Sequence, residues 1–276
     1  MNPETKIAIF RGRKVRRTIY KNEWWFSVND VCGALTESID AGAYWRKLKQ
    51  RLKEEGSKVV TICHELKLIS ADGKKYKTDC ANAEGIFRIV QSIPSPKAEP
   101  FKLWLARVGY ERVKEIEDPE LATKRTRMIY KAKGYPDSWI AKRMRGIEVR
   151  ETLTDEWQKR GIQDERGYKI LTAEISKATF DMTPSQYKKF KKLKRENLRD
   201  HMDDLELILT MLGEATTTKL HRDRNSIGFP PLHRDAKEGG EVAGSTRRDI
   251  EKRTKKRVST KKNYLKQNKY IPITDN

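Results

Sequence analysis

The sharpest chemical candidates are two copies of one tripeptide. His221-Arg222-Asp223 and His233-Arg234-Asp235 stand twelve residues apart, with His201, Asp203 and Asp204 shortly before them. Imidazoles and carboxylates together can hold a metal ion or move a proton. A metal-dependent nuclease would draw on His201 and the His221–Asp235 stretch in this way. The spacing, however, matches no standard zinc or magnesium pattern, and no other kinase element accompanies the His-Arg-Asp letters. Salt-bridged surface loops are the plainer expectation for both tripeptides. Gly239-Gly240-Glu241-Val242-Ala243-Gly244 is glycine-rich, but it follows a loop and not a strand. It therefore fails the context of a dinucleotide or phosphate loop and reads as a turn entering a helix. Cys32, Cys63 and Cys80 form no Cys-x-x-Cys pair and suit small core positions. No Gly-x-Ser-x-Gly or His-Glu-x-x-His motif is present. Nothing assembles a nucleophile, a base and a charge stabiliser, so the expectation is a non-enzyme with no catalytic residue, metal or cofactor.

The remaining chemistry is charge. The chain has 276 residues, 36% of them charged, with a formal net charge of +21 and a pI near 9.8. Such a balance attracts polyanions. No run approaches the roughly 18 to 20 apolar residues of a membrane span. The start, Met1-Asn2-Pro3-Glu4-Thr5, has no signal-peptide pattern. DNA, double- or single-stranded, is the expected partner; a membrane is not, and the expected location is cytoplasmic, with the nucleoid. Four basic segments are the candidate contacts. Arg11, Arg13, Lys14, Arg16 and Arg17 belong to a stretch, Thr5 to Asn22, with seven basic residues and no acidic one. Arg46, Lys47, Lys49, Gln50, Arg51 and Lys53 follow Tyr44-Trp45. Arg and Gln can read base edges with paired hydrogen bonds, and Lys can contact phosphate. Lys188, Lys189, Lys191 and Lys192 are interleaved with Tyr187 and Phe190. Arg247, Arg248, Lys252, Arg253, Lys255 and Lys256 open a stretch to Lys269 with eleven basic and two acidic residues.

The elements that must position these groups centre on Trp24-Trp25-Phe26, the end of a β run. Ser27 or Asn29 can cap the helix that follows, whose apolar positions are Val28, Val31, Cys32 and Leu35. Before it lie two strands, Lys6 to Arg11 and Val15 to Tyr20, with a turn at Lys21-Asn22-Glu23. A helix over Asp40 to Glu55 places Trp45, Leu48 and Leu52 inward and leaves its basic face outward. Lys58 to Ile69 reads as β-rich, strongest at Val59 to Cys63. Asp72-Gly73 marks a hairpin turn, Tyr76 to Cys80 the returning strand, and Asn82 a helix cap. A long helix from Lys97 to Glu117 turns Phe101, Trp104, Leu105, Val108 and Val113 to one side.

Past Asp118-Pro119 the pattern becomes helical. Helices are expected over Leu121 to Lys133, from Pro136, over Leu171 to Phe180 and Thr183 to Leu193, and from Asn197 to Ala215. Leu153 to Trp157 reads as a separate capped turn. Residues 221 to 246 read as loop, and about 245 to 256 as a last basic helix. The expected class is α+β, an antiparallel sheet with helices followed by a mostly helical domain. The boundaries are 1–117, 118–258 and a basic, frayed tail over 259–276.

Residues 7 to about 115 resemble the Bro-N domain of prophage antirepressors and baculovirus repeated-ORF proteins. Ile7-Ala8-Ile9-Phe10 begins the likeness, and Trp25-Phe26-Ser27-Val28-Asn29-Asp30-Val31-Cys32-Gly33-Ala34-Leu35 carries most of it. Ala83 to Ile89 and Ser95-Pro96-Lys97-Ala98-Glu99-Pro100-Phe101-Lys102-Leu103-Trp104-Leu105 extend it. The second half is similar to the C-terminal part of DNA-damage-inducible protein D at Leu198 to Met202, Leu212 to Thr217 and Gly239 to Gly244, with Arg247 and Glu251. These resemblances imply a non-enzymatic DNA-binding regulator of antirepressor, prophage or SOS DNA-damage-response type, with binding placed in the Bro-N domain. An interaction module that antagonises a repressor or recombinase is the first alternative, and the metal-dependent nuclease the second.

Overall fold

The computed structural model describes residues 6–10, 13–36, 38–194 and 196–264. The chain divides into two compact units, Met1–Leu121 and Ala122–Asn276, just past the Asp118-Pro119 break.

Unit 1 is an antiparallel sheet with helices. Strands Lys6–Phe10 (β1), Arg13–Tyr20 (β2) and Glu23–Ser27 (β3) pair in sequence order. Lys21 and Asn22 join β2 to β3 with φ of 48° and 63°, the left-handed pair whose twist suits a tight hairpin. β3 runs directly into helix Val28–Thr36 (α1). Ser27 is the capping residue of the two candidates, its Oγ accepting from Asp30 N at 3.2 Å. Helix Ala41–Glu54 (α2) is capped by Asp40, which accepts from Ala43 N at 2.8 Å, and buries Trp45, Leu48 and Leu52 as their spacing requires.

The expected strand over Val59 to Cys63 is instead a 3-10 turn, Lys58–Ile62. The chain leaves α2 through Gly56 at φ +70°, and the Thr61 hydroxyl donates to Lys58 O at 2.6 Å. This local closure outweighs the β propensity of the branched residues, which counts only where a sheet partner is available. Strands His64–Ile69 (β4) and Lys75–Asn82 (β5) form the Asp72-Gly73 hairpin. The five-stranded order is β1-β2-β3-β5-β4, so β4 is an edge. Asn82 caps helix Ala83–Gln91 (α3) by accepting from Gly85 N at 3.0 Å.

Helix Glu99–Glu117 (α4) starts against an aromatic cluster of Phe87, Phe101 and Trp104. Val108 and Val113 do not share its inward side, being 41% and 55% exposed. Nineteen residues make a helix of about 28 Å, longer than the core its first turns meet. That core joins Val15, Val28, Val31, Cys32, Leu35, Trp45, Leu48, Leu52, Ala81 and the inner face of α3. A smaller cluster, Trp25, Leu68 and Cys80, fills the opposite face of the sheet.

Helix Glu120–Ala132 (α5) crosses the division. Among its described residues, unit 2 has helices and no strand. Helix Asp137–Lys159 (α6) runs unbroken through Leu153 to Trp157, where the pattern predicts a separate turn. The Thr152 and Thr154 hydroxyls bond back to Glu148 O and Arg150 O, four residues earlier, so they serve the helix interior and cap nothing. Helices Glu165–Phe180 (α7) and Pro184–Phe190 (α8) follow, the second opened by a Thr183–Gln186 capping box. A short 3-10 turn, Leu198–His201, precedes helix Asp204–Asp223 (α9), which carries an Asp203–Glu206 capping box.

The largest departure lies over residues 221 to 246. They are helical apart from a short connection, in the end of α9 and in helix Phe229–Thr254 (α10). Gly239, Gly240 and Gly244 do not turn the chain. They sit where α10 crosses α9 and α7, and a Cβ on any of them would meet Thr217, Ala178 or Ile175 within 2.7 Å. The glycines are spacing devices for close helix packing, which local patterning reads as loop. The expected fraying from 259 is also not what is seen at its start. Val258 and Ser259 are buried, and Tyr264 stacks on Tyr135 with ring centroids 5.7 Å apart. Residues 265–276 lie outside the described residues.

Candidate nucleic-acid interface

The two His-Arg-Asp tripeptides lie on helices. His221 is fully buried in α9 and belongs to no surface loop. Trp157 Nε1 donates to His221 Nε2 at 2.9 Å, so Nδ1 carries the proton and donates to Asp235 Oδ2 at 3.0 Å. Asp235 also accepts from Ser226 Oγ at 2.6 Å and Arg224 Nη1 at 2.8 Å. This is a closed polar network between α9 and α10, with both imidazole nitrogens occupied. His233, on α10, is partly exposed and 3.5 Å from Glu174. The tripeptides thus share letters but not environments, because a twelve-residue step along two antiparallel helices does not repeat a site. Among the described residues no group of three His, Cys, Asp or Glu is arranged to hold a metal ion. Burial pushes the Cys32 and Cys80 thiols up to about 12 and Cys63 up to about 11, far from thiolate reactivity.

The His221 network sets a pH dependence. Burial lowers the imidazole pKa below its ordinary 6.5, against the opposing pull of Asp235. As pH falls, the unfolded chain takes up the proton first, so stability drops through and below pH 6.5. The Asp235 carboxyl is also held low: burial works to raise it, but bonds from Ser226, His221 and Arg224 prevail. Its contribution persists until pH falls below the ordinary carboxylate range. Thermal melts at pH 7 and pH 5 are expected to show unit 2 weakening on acidification. In His221→Gln the melting temperature should be lower and the pH 7 to 5 difference smaller; an unchanged difference would remove His221 as its source.

Of the basic candidates, α2 offers the most ordered set. Arg46, Lys47, Gln50, Arg51 and Lys53 are exposed opposite the buried stripe. Arg46 lies 3.9 Å from Asp40, and Gln50 Nε2 donates to Glu54 Oε1 at 2.9 Å. Arg51 is drawn toward Glu55 and donates to Ser92 O at 2.8 Å. Lys49 differs: its Nζ pairs with Asp79 at 2.8 Å, beside Trp45 Nε1, which donates to the same oxygen at 2.6 Å. Burial works to raise the Asp79 pKa, and the bonds from Lys49 and Trp45 outweigh it and hold the carboxyl down. Lys49 therefore fastens α2 to β5.

The β2 candidates divide in the same way. Arg13 and Lys14 are exposed. Arg16 makes a two-pronged pair with Asp30 at 2.7 and 2.8 Å, and the Arg16 backbone N–H also donates to Asp30 Oδ2, so Arg16 ties β2 to α1. The Arg17 guanidinium carbon stands over the Trp24 ring, 4.1 Å from its centre. Arg11 lies outside the described residues.

In unit 2, Lys191 is fully buried, donating from Nζ to Glu206 and to Lys262 O, each at 2.9 Å. Arg247 is buried too, between Asp181 and Glu251. Neither position presents its charge to a partner, because in both cases the core closes over the side chain. Lys189, Lys192, Arg248, Lys252, Arg253, Lys255 and Lys256 are exposed, and Lys188 is half-buried. Lys261 Nζ stands 5.9 Å from the Phe190 ring. The chain after α10 thus returns beside α8, adding Lys261 to Lys189 and Lys192. Arg248 and Lys252 stand four residues apart on the last two turns of α10, where cations also complement the helix dipole, and Lys255 follows just past the helix end in a left-handed conformation.

Four exposed lysines escaped the sequence reading: Lys67, Lys74, Lys75 and Lys77, on the β4–β5 hairpin. The available signal was the run Lys74-Lys75-Tyr76-Lys77 across a tight turn, whose alternate residues share one face.

The family model of the N-terminal domain of the BRO family, Bro-N, matches residues 14–113. The match spans nearly all of β2, continues through α1, α2, the hairpin and α3, and takes in most of α4. No curated protein matches the chain.

Proposed function

We propose that this chain, with a Bro-N domain at residues 14–113, is a non-enzymatic DNA-binding regulator of the antirepressor or DNA-damage-response type. The observation that carries the reading is α2, whose exposed Arg46, Lys47, Gln50 and Lys53 stand opposite a fully packed stripe. An α-helix fits the major groove of duplex DNA, and Arg and Gln suit base edges there. The net charge of +21 supplies attraction over distance. The associations of Bro-N proteins with phage and viral antirepressor-like regulators support the role. The likeness of the second half to DNA-damage-inducible protein D supports only the proposed damage-response branch.

The test is Arg46→Ala/Lys47→Ala/Lys53→Ala in the full chain, titrated against a short duplex at several salt concentrations. Log affinity against log salt should flatten by roughly 0.9 unit for each phosphate that α2 no longer neutralises. An unaltered slope in a folded variant would remove α2 from the interface. A second reading, an interaction module acting on a repressor or recombinase, is favoured by the exposed Leu103, Tyr110, Val113 and Ile116 of α4. It expects association with that protein to survive nuclease treatment.

A further inference from the structure

We infer that the β4–β5 hairpin is a wing that grips the phosphate backbone of duplex DNA beside α2, through Lys67, Lys75 and Lys77 with Lys74 at its tip. The inference rests on the DNA-binding reading of α2 and adds a second contact element to it.

Side chains alternate along β5, so residues 75, 77, 79 and 81 point to one face of the strand. Ala81 is fully buried in the main core beneath the helices. Asp79, the next outward, meets Trp45 and Lys49 of α2. Lys77 and Lys75 continue the same face into solvent. One strand therefore passes from core, to the edge of α2, to open water, and each step is roughly 7 Å. The Asp79 anchor fixes the hairpin's lysine face on the same side of the sheet as α2.

Cross-strand register completes the face. Lys67 stands directly opposite Lys77, and Ile69 opposite Lys75. Like charges directly opposed on a sheet are destabilising. Glu65 relieves one of them at 3.5 Å from Lys77, an exposed pair. The Asp72 carboxylate at the tip is occupied by Lys74 N and the Tyr76 hydroxyl. Edge strands carry lysine to discourage pairing with other chains, and one lysine on β4 would do that. Three lysines crowded on one face, two of them directly opposed, are better explained by an anionic partner that relieves the repulsion. A hairpin next to a basic helix has the shape to follow the backbone while the helix lies in the groove.

The experiment uses the full chain and the variant Lys67→Gln/Lys75→Gln/Lys77→Gln, compared with the α2 triple variant on one duplex and on its single strand. All three side chains are exposed, and a thermal melt confirms folding. For the hairpin variant the expected result on duplex is a loss on the order of 100-fold at about 0.1 M salt, with the salt slope reduced by roughly 2 to 3 units. The loss on the single strand should be much smaller, since only a duplex offers groove and backbone together. An unchanged duplex slope in the hairpin variant, with a flattened slope in the α2 variant, would overturn the wing and leave the DNA-binding reading intact. Equal losses on duplex and single strand would also overturn it, by making the hairpin a general polyanion contact. Failure of the wild-type chain to bind either probe would remove both readings.

Discussion

Lys191→Ala is expected to destabilise unit 2 by about 3 to 5 kcal/mol, the range for removing one member of a buried ion pair. Both Lys191 and Glu206 are fully buried. Glu206 accepts from Lys191 Nζ, from the Tyr187 hydroxyl and, as part of its capping box, from Asp203 N at 2.7 Å. Lys191 in turn donates to Lys262 O, so one ammonium holds α8, the start of α9 and the chain after α10. Burial pushes the Glu206 pKa up. Without the ammonium the carboxylate would be left in an apolar site, and the segment beyond α10 would lose its anchor. Urea unfolding followed through the fluorescence of Trp139 and Trp157 measures the loss. Lys191→Met/Glu206→Gln should recover a large part of it, because no unpaired charge remains. A loss below about 1 kcal/mol in the single variant would show that water reaches the pair. The salt slope of DNA binding should not move in protein that remains folded, which separates this lysine from Lys189 and Lys192.

Gly239→Ala and Gly244→Ala are each expected to cost about 3 kcal/mol, at the upper end for adding a methyl to a closed interface. A Cβ at position 239 would run into Thr217 Oγ1 and stand 2.7 Å from Thr217 N; at 244 it would run into Ala178 O. Two of these obstacles are backbone atoms, so no rotamer change relieves them and α10 must move from α9 or α7. Gly109→Ala in α4 is the control. A Cβ there meets nothing within 4 Å, and the substitution should stabilise the helix by about 0.5 to 1 kcal/mol. Equal effects at 109 and 239 would mean that the helices of unit 2 are not packed as closely as described.

Much of unit 1 was legible because its signals are local. Ser27 and Asn82 lie where a cap must lie, Lys21-Asn22 and Asp72-Gly73 where tight turns must, and Trp45, Leu48 and Leu52 at the spacing of a buried stripe. Each depends on neighbours within one helical turn or one hairpin, and backbone geometry settles it before any distant contact forms. The likeness to Bro-N rested on equally local runs, Trp25 to Leu35 above all. The net charge was also readable, and with it the expectation of a polyanionic partner.

What only the tertiary structure decided is which charges reach the surface and which glycines turn the chain. Arg16, Lys49, Lys191 and Arg247 resemble their neighbours in every local respect, yet each faces a carboxylate brought from another element: Asp30, Asp79, Glu206 and Asp181. The lysines of the β4–β5 hairpin gain their common face only when register pairs Lys67 with Lys77 and Asp79 meets α2. Gly239, Gly240 and Gly244 read as loop because a glycine's local meaning is freedom. In the folded chain their meaning is the absence of a side chain, set by Thr217 and Ala178 on helices distant in sequence. Composition determines how much charge and flexibility a chain carries, while long-range packing assigns each charge a partner and each glycine a neighbour.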